Sequence, residues 1–310
     1  MNWITKKLSY LSEKIKIVIK KRPTKEEIES SEWTSCCKGP ILKKELENNL
    51  WVCPSCNKHH RINCRQRFNA FFGKNNYEIL ETPTPMDDPL LWKDSKTYKD
   101  RLKDARKKTG QSCAIMVVRG KINNINITAC ASDFAFIGGS LGAAEGEAIL
   151  YAIQHAIENQ NPFVNFTSGG GARMFENLIA LSQMTRTTLA INELKKNNLP
   201  YIVVMCDPTA GGITASYAML GDLHLSEPDS LVAFAGARVI QATVKEELPE
   251  GFQKSEYVQK TGFIDLIVER KDLRDKIDSL LSILLKKNSA INSISNETSE
   301  DSRTFTKAAS

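Results

Sequence analysis

A chain of 310 residues, 41% hydrophobic and 25% charged, has the length and composition of a globular protein with a sizeable core. Its formal net charge of +6 admits an anionic partner, such as a CoA phosphate, a nucleic acid or an acidic protein surface, without selecting one. No uncharged apolar run reaches membrane-spanning length and the N-terminus lacks a small-residue cleavage site, so the chain reads as a cytoplasmic protein with no membrane partner.

In chain order, residues 1–32 read as a basic, weakly amphipathic helix and linker ending in "RPTKEEIESSE", and residues 33–60 as a cysteine module. Residues 61–285 read as the main domain and the Ser-, Asn- and Lys-rich residues 286–310 as a disordered tail. The proline-rich "ETPTPMDDPLLW" breaks any helix, and "KDSKTYKDRLKDARKKTGQ" reads as a solvated helix. "AIMVVRGKINNINITACAS" predicts two strands joined by a turn at Asn123 and Asn124. Helices are predicted over 142–158, 174–196 and 213–220, and from Ala237 and Lys254; strands are predicted over 163–166, 201–206, 223–226 and 231–234. That alternation implies an α/β core with largely parallel strands.

Four of the eight cysteines lie between Cys36 and Cys56. Clustered cysteines in a reducing compartment favour a metal over disulfides, and Cys53-x2-Cys56 has the turn that aims two thiolates at one point. The adjacent Cys36 and Cys37 are irregular as a second knuckle. Spacing favours Cys37, Cys53 and Cys56 over Cys36, with His59, His60 or Cys64 as substitutes, and the metal-free ribbon stays open. Four protein ligands would close the metal site to catalysis.

Glycine-rich turns follow apolar runs at "FAFIGGSLGAAEG", "VNFTSGGGARMFE", "DPTAGGITASYAMLGD" and "FAGARVI". A bare turn ahead of a helix presents unpaired N–H groups to an oxyanion or phosphate, and no P-loop or dinucleotide fingerprint supports phosphate. Tight packing of helix against sheet is the competing reading. Side-chain catalysts are scarce: His59, His60, His155 and His224 have no evident triad partner, and Ser168 lacks a nucleophile-elbow setting. Asp133, Asp207, Asp222 and Asp265 read as caps or charge ligands.

In this order, "LKKELENNLWVCPSC", "DSKTYKDRL", "FAFIGGSLG", "GGGARM", "DPTAGGITASYAMLGD" and "LPEGFQKSEY" resemble the β subunits of bacterial acetyl-CoA carboxylase carboxyltransferases, over roughly Trp33 to Arg270. The resemblance implies a crotonase (ClpP/crotonase-like) α/β fold preceded by a zinc ribbon holding structural Zn2+ through Cys36, Cys37, Cys53 and Cys56. It implies transfer of CO2 from carboxybiotin, carried on a biotin carboxyl carrier protein, to acetyl-CoA, giving malonyl-CoA for fatty acid biosynthesis. An α subunit would complete an α2β2 assembly, acting with biotin carboxylase in a complex expected to bind ATP and nucleotides. Gly170 and Gly171 match the amides expected to hold the enolate oxygen; Gly138, Gly139, Gly142, Arg173, Gly211 and Gly212 match the substrate-binding positions. The chain departs from the pattern at Gly169, where serine is usual, at Phe175, where glutamine is usual, at Ala237, where proline is usual, and at the compressed Cys36-Cys37 pair. Serine at 169 is therefore expected to leave activity intact or raise it. The alternatives are another biotin-dependent acyl-CoA carboxyltransferase, or a zinc-ribbon nucleic-acid-binding protein that uses "KHHRINCRQRF" with Phe68 and Phe71 as stacking platforms.

Overall fold

The computed structural model describes residues 32–36, 39–245 and 247–285. The expected N-terminal helix, the expected disordered tail and Cys37 lie outside them. The chain divides between Lys58 and His59 into two compact units.

In the first unit, β1 (Trp33–Cys36) pairs antiparallel with β2 (Gly39–Leu42), and α1 (Lys43–Asn48) follows directly. Its small core is Ile41, Leu46 and Cys53, with Trp51, Cys36 and Cys56 packed against them. So few apolar side chains cannot offset the ordering entropy of a module this size, which is the usual case for a staple of metal or disulfide.

The second unit opens with α2 (Cys64–Phe72), where Asn63 and Gln66 form a reciprocal capping box, and continues with β3 (Tyr77–Leu80) and α3 (Tyr98–Thr109). The solvated helix expected over α3 buries Tyr98, Leu102 and Ala105. Next come β4 (Ile115–Ile122) and β5 (Ile125–Ser132), the predicted hairpin, with Asn123 at φ 48° in its turn. After α4 (Ala143–Glu158) and β6 (Phe163–Gly169), the helix expected from Met174 is interrupted. A 3-10 turn over Met174–Glu176 ends at Asn177, whose φ of 49° breaks the helix, and α5 (Leu178–Lys196) starts afresh. β7 (Tyr201–Ala210) runs four residues beyond the predicted strand, and the helix expected over 213–220 is a set of turns with a 3-10 segment at Tyr217–Met219. β8 (Leu223–Ser226), β9 (Val232–Ala233), α6 (Ala237–Val244), α7 (Ser255–Lys260), β10 (Leu266–Ile267) and α8 (Leu273–Leu284) complete it.

The sheet order is β10-β8-β7-β6-β5-β4-β3, with β9 pairing β7. β3, β4 and β5 are antiparallel neighbours; β5, β6, β7, β8 and β10 run parallel. Alternation along the strands sends Val117, Phe163, Tyr201 and Val203 to the face covered by α4 and α5, and Val118, Val164, Phe166, Ile202 and Val204 to the face covered by α2 and α8. Burial on both faces explains why the parallel strands read as continuous apolar runs. It also leaves the carboxyl ends of β5, β6 and β7 as the place where loops gather, the usual ligand edge of such a sheet. No helix among the described residues is long and apolar enough to cross a membrane.

Candidate functional site

Three glycine turns meet at that edge. Gly170 N–H donates to Gly138 O at 3.0 Å, and Leu141 N–H to Gly171 O at 2.8 Å, so the turn after β5 lies against the turn after β6. A Cβ on Gly139 would fall against the Ser168 carbonyl oxygen and 2.9 Å from Gly169 Cα, while one on Gly169 would fall against Gly139 O. A Cβ on Gly211 would stand 3.0 Å from Gly170 O, and one on Gly212 3.2 Å from Ala172 N. Close backbone approach thus accounts for Gly139, Gly169, Gly211 and Gly212, the packing reading of those glycines. A serine side chain at 169 would meet the Gly139 carbonyl and Ile213 Cδ1, so the turn would have to shift to take it.

Gly138 and Gly171 share positive φ, 66° and 118°, with Gly139 and Gly211, and a Cβ on Gly171 would stand 3.2 Å from Gly212 N; within the described residues neither the Gly138 nor the Gly171 amide makes a hydrogen bond. Of the expected pair Gly170 and Gly171, the Gly170 N–H is already engaged with Gly138 O, which leaves Gly138 and Gly171, with Ala172 and Gly212 beside them, as the unengaged donors of these turns among the described residues. Unengaged N–H groups on adjoining turns can stabilise charge on a carbonyl oxygen where they converge on one point. Beside the third turn, where Gly211 N–H donates to Phe234 O at 3.0 Å, lies an apolar cavity of 390 Å³ lined by Thr214, Phe234, Phe252, Tyr257 and Phe263.

Two of the expected substrate positions, Arg173 and Gly142, lie in a buried ionic network. Arg173 is 2% exposed and its guanidinium lies 2.7 Å from Glu145 and 3.5 Å from Glu176, bonded also to Tyr98 Oη and Ser140. Burial alone would lower its pKa, but Glu145, Tyr98 and Glu176 raise it, so it is a permanently charged internal strut. Gly142, which starts α4, is buried beside that network; a Cβ there would stand 2.8 Å from Arg173 Nη1 and 2.5 Å from Glu176 Oε1. Phe175, the departure from glutamine, packs on Trp92 and Tyr98 with centroids 4.6 and 5.3 Å away, and Arg101 stacks over it.

The aspartates act as caps. Asp133 accepts from Ala135 N–H at 2.8 Å, Asp207 from Leu231 N–H at 3.0 Å, Asp222 from Tyr201 N–H at 2.8 Å and Asp265 from His224 N–H at 2.7 Å. His155 bonds Thr128 and His224 accepts from Gly221 N–H; burial lowers the pKa of both, so they are neutral structural groups. Phe68 and Phe71, offered as base-stacking platforms, are 0% and 3% exposed in the core under the sheet and cannot stack a base.

Sequence reasoning missed a second ionic centre at the carboxyl end of β8. Glu227, buried, is chelated by Arg270 at 2.7 and 2.8 Å and by Arg67, with His59 at 3.9 Å. Burial opposes ionisation, yet Arg67 and Arg270 hold its carboxyl well below the usual range. Its signal was available, since Glu227 and Arg270 each end an apolar strand-like run.

In the first unit, the Cys36, Cys53 and Cys56 sulfurs lie within 4.8 Å of one another, with Cys36 and Cys56 3.4 Å apart. Thiolates about 2.3 Å from one tetrahedral zinc are roughly 3.8 Å apart, so the set fits that ion. Cys36, ranked behind Cys37 on spacing, is part of the cluster. Cys64 is not a ligand: it is buried in the sheet core and donates to Ala131 O at 3.1 Å.

Residues 86–309 match the carboxyl transferase domain. Across 310 residues, all of both chains, the protein is 77% identical to the acetyl-coenzyme A carboxylase carboxyl transferase subunit beta of Pelagibacter ubique (strain HTCC1062). It is 46% identical over 292 residues, 94% of each chain, to the protein of that name from Bartonella grahamii. Among solved structures, a transcarboxylase 12S with methylmalonyl-coenzyme A bound superposes with a TM-score of 0.58 at 19% identity, over 91% of this chain and 48% of that one. A Pseudomonas malonate decarboxylase hetero-tetramer in complex with malonate gives 0.56 at 20%, over 74% and 84%. These two show a shared crotonase-like fold. With its whole length matched at this identity, the chain belongs to the acetyl-coenzyme A carboxylase carboxyl transferase β-subunit family.

Proposed function

We propose that this chain transfers a carboxyl group from carboxybiotin to the methyl carbon of acetyl-CoA, forming malonyl-CoA for fatty acid biosynthesis. The observation that carries the reading is the full-length match at 77% identity. The site chemistry agrees with it. The Gly138 and Gly171 amides would hold the thioester oxygen as negative charge develops there, and the cavity beside Gly211 offers apolar space next to the turns. Carboxybiotin on its carrier would supply the CO2 and, once decarboxylated, the base that takes the methyl proton. That division of labour suits a site whose aspartates cap backbone and whose His155 and His224 are structural.

The partners proposed are an α subunit in an α2β2 assembly, the biotin carboxyl carrier protein and biotin carboxylase, in the cytoplasm. The exposed apolar side chains of Met174, Leu178, Leu181 and Leu189 suit a surface covered by another subunit. ATP and nucleotide binding draw no support from the matches and form no part of the reading. Cys36, Cys53 and Cys56 would hold a structural zinc, with Cys37 as the proposed fourth ligand; the ion supplies folding energy on the order of 10 kcal/mol and no chemistry.

Reconstitution with the cognate α subunit tests the function by malonyl-CoA-dependent carboxylation of biocytin. Turnover requiring both chains is expected, and its absence in a folded complex would overturn the reading. A higher kcat/KM with propionyl-CoA than with acetyl-CoA would redirect it to another acyl-CoA carboxyltransferase.

A further inference from the structure

Arg173 is buried, and its main chain and its side chain both grip the glycine turns. Its N–H donates to Leu141 O at 2.8 Å, within the backbone pairing that joins Gly170 to Gly138 and Leu141 to Gly171. Its side chain then returns to the first turn, where Nη2 donates to Ser140 O at 2.6 Å and Nε to Ser140 Oγ at 3.1 Å. One residue of the turn after β6 therefore fixes residues 140 and 141 of the turn after β5.

The guanidinium is itself held in place. Glu145 lies 2.7 Å from it, and Tyr98 Oη, which donates to Glu176 at 2.5 Å, accepts from Nη1 at 3.2 Å. The same two carboxylates accept the first amides of α4, Gly142 N–H at 3.0 Å on Glu145 and Ala143 N–H at 2.6 Å on Glu176. Such a network is a poor source of stability compared with apolar packing, but it specifies a single geometry. A lysine ammonium could not reach the same carbonyl, hydroxyl, carboxylate and phenol together, because those contacts use the planar fork.

We infer that Arg173 is a positioning residue for the acyl-oxygen site: it sets the relative placement of the Gly138 and Gly171 amides through Ser140 and Leu141. The inference rests on the oxyanion reading of those amides given above.

The test uses the full chain assembled with its α subunit, in Arg173→Lys, which keeps the charge facing Glu145 and Glu176, and Tyr98→Phe, which removes one hydroxyl. In Arg173→Lys, kcat for biocytin carboxylation is expected to fall about 100-fold with KM for malonyl-CoA nearly unchanged. Amide hydrogen exchange over 137–142 and 169–173 should quicken about 10-fold or more, while that of α5 stays as in the unmodified chain. Tyr98→Phe should move both readouts the same way by a smaller factor, and it decides the matter if Arg173→Lys fails to fold. Unchanged exchange in the two turns overturns the inference whatever kcat does, and so does a raised KM with unchanged kcat. Faster exchange with both kinetic constants unchanged would instead refute the oxyanion reading and leave the clamp standing.

Discussion

Replacing Gly169 by serine is expected to destabilise the sheet unit by about 2 kcal/mol and to slow turnover. The added Cβ would lie against Gly139 O, 2.8 Å from that carbonyl carbon and 2.5 Å from Ile213 Cδ1. Ile213 can turn its terminal methyl aside within the core. The Gly139 carbonyl has less freedom, because the N–H of its peptide, on Ser140, is bound to Ile137 O at 3.3 Å, and the peptide before it is held by Gly139 N–H on Phe136 O at 2.9 Å and by Gly170 N–H on Gly138 O at 3.0 Å. Relief therefore requires the end of β6 and the turn after β5 to separate, stretching the Gly170–Gly138 bond. Overpacking of this kind costs about 1–3 kcal/mol, and at about 2–4 °C per kcal/mol for a unit of this size the melting temperature should drop by roughly 4–8 °C. If the separation also withdraws Gly138 from Gly171, losing one oxyanion donor lowers turnover by about 100-fold or more. Thermal unfolding by circular dichroism gives the first number, and biocytin carboxylation with the partner subunit the second. A folded serine variant with an unshifted melting temperature and unchanged turnover would refute the reasoning.

Glu227→Ala leaves Arg67 and Arg270 buried without their counter-charge and should cost about 3–5 kcal/mol, read from the urea midpoint at neutral pH. Because the folded-state pKa of Glu227 is depressed, its contribution is fully present above the unfolded value near about 4.3 and is lost as pH falls below it; Glu227→Gln should flatten that acid limb, and an identical pH–stability curve would contradict the assignment. Cys53→Ser should abolish zinc binding by the ribbon, measured by metal analysis, while the melting of the sheet unit is retained; zinc content equal to that of the unmodified chain would remove Cys53 from the site. Burial pushes the Cys113 and Cys206 thiols up to about 12, so neither should be alkylated at pH 8 until denaturant is added, and peptide mapping that finds either modified in the folded chain would contradict their burial.

Much of the fold was legible because its signals are local. Alternation and the Asn123-Asn124 turn carry the β4–β5 hairpin, and apolar runs bounded by glycine carry β6, β7 and β8. Two further helices carry local signals of their own. The N-x-x-Q capping box at Asn63 and Gln66 announces α2, and Leu273, Ile277 and Leu281, four apart, give α8 its buried stripe. The break at Asn177 was not readable, since helix-forming residues stand on both sides and the positive φ belongs to the tertiary path.

The sequence by itself determined the class of chain: a cysteine module, an α/β core and bare glycine turns at the ends of parallel strands, in an order specific enough to point to one family. Those are properties of neighbours along the chain, which composition and spacing record. Only the tertiary structure decided what each polar group does. Gly170 loses its donor to a carbonyl 32 residues upstream, and Arg173 becomes a strut because Tyr98, Ser140 and Glu145 converge on it from other elements. A buried charge or a bare amide takes its role from the partners that folding brings within about 3 Å, and those partners lie far away in the sequence.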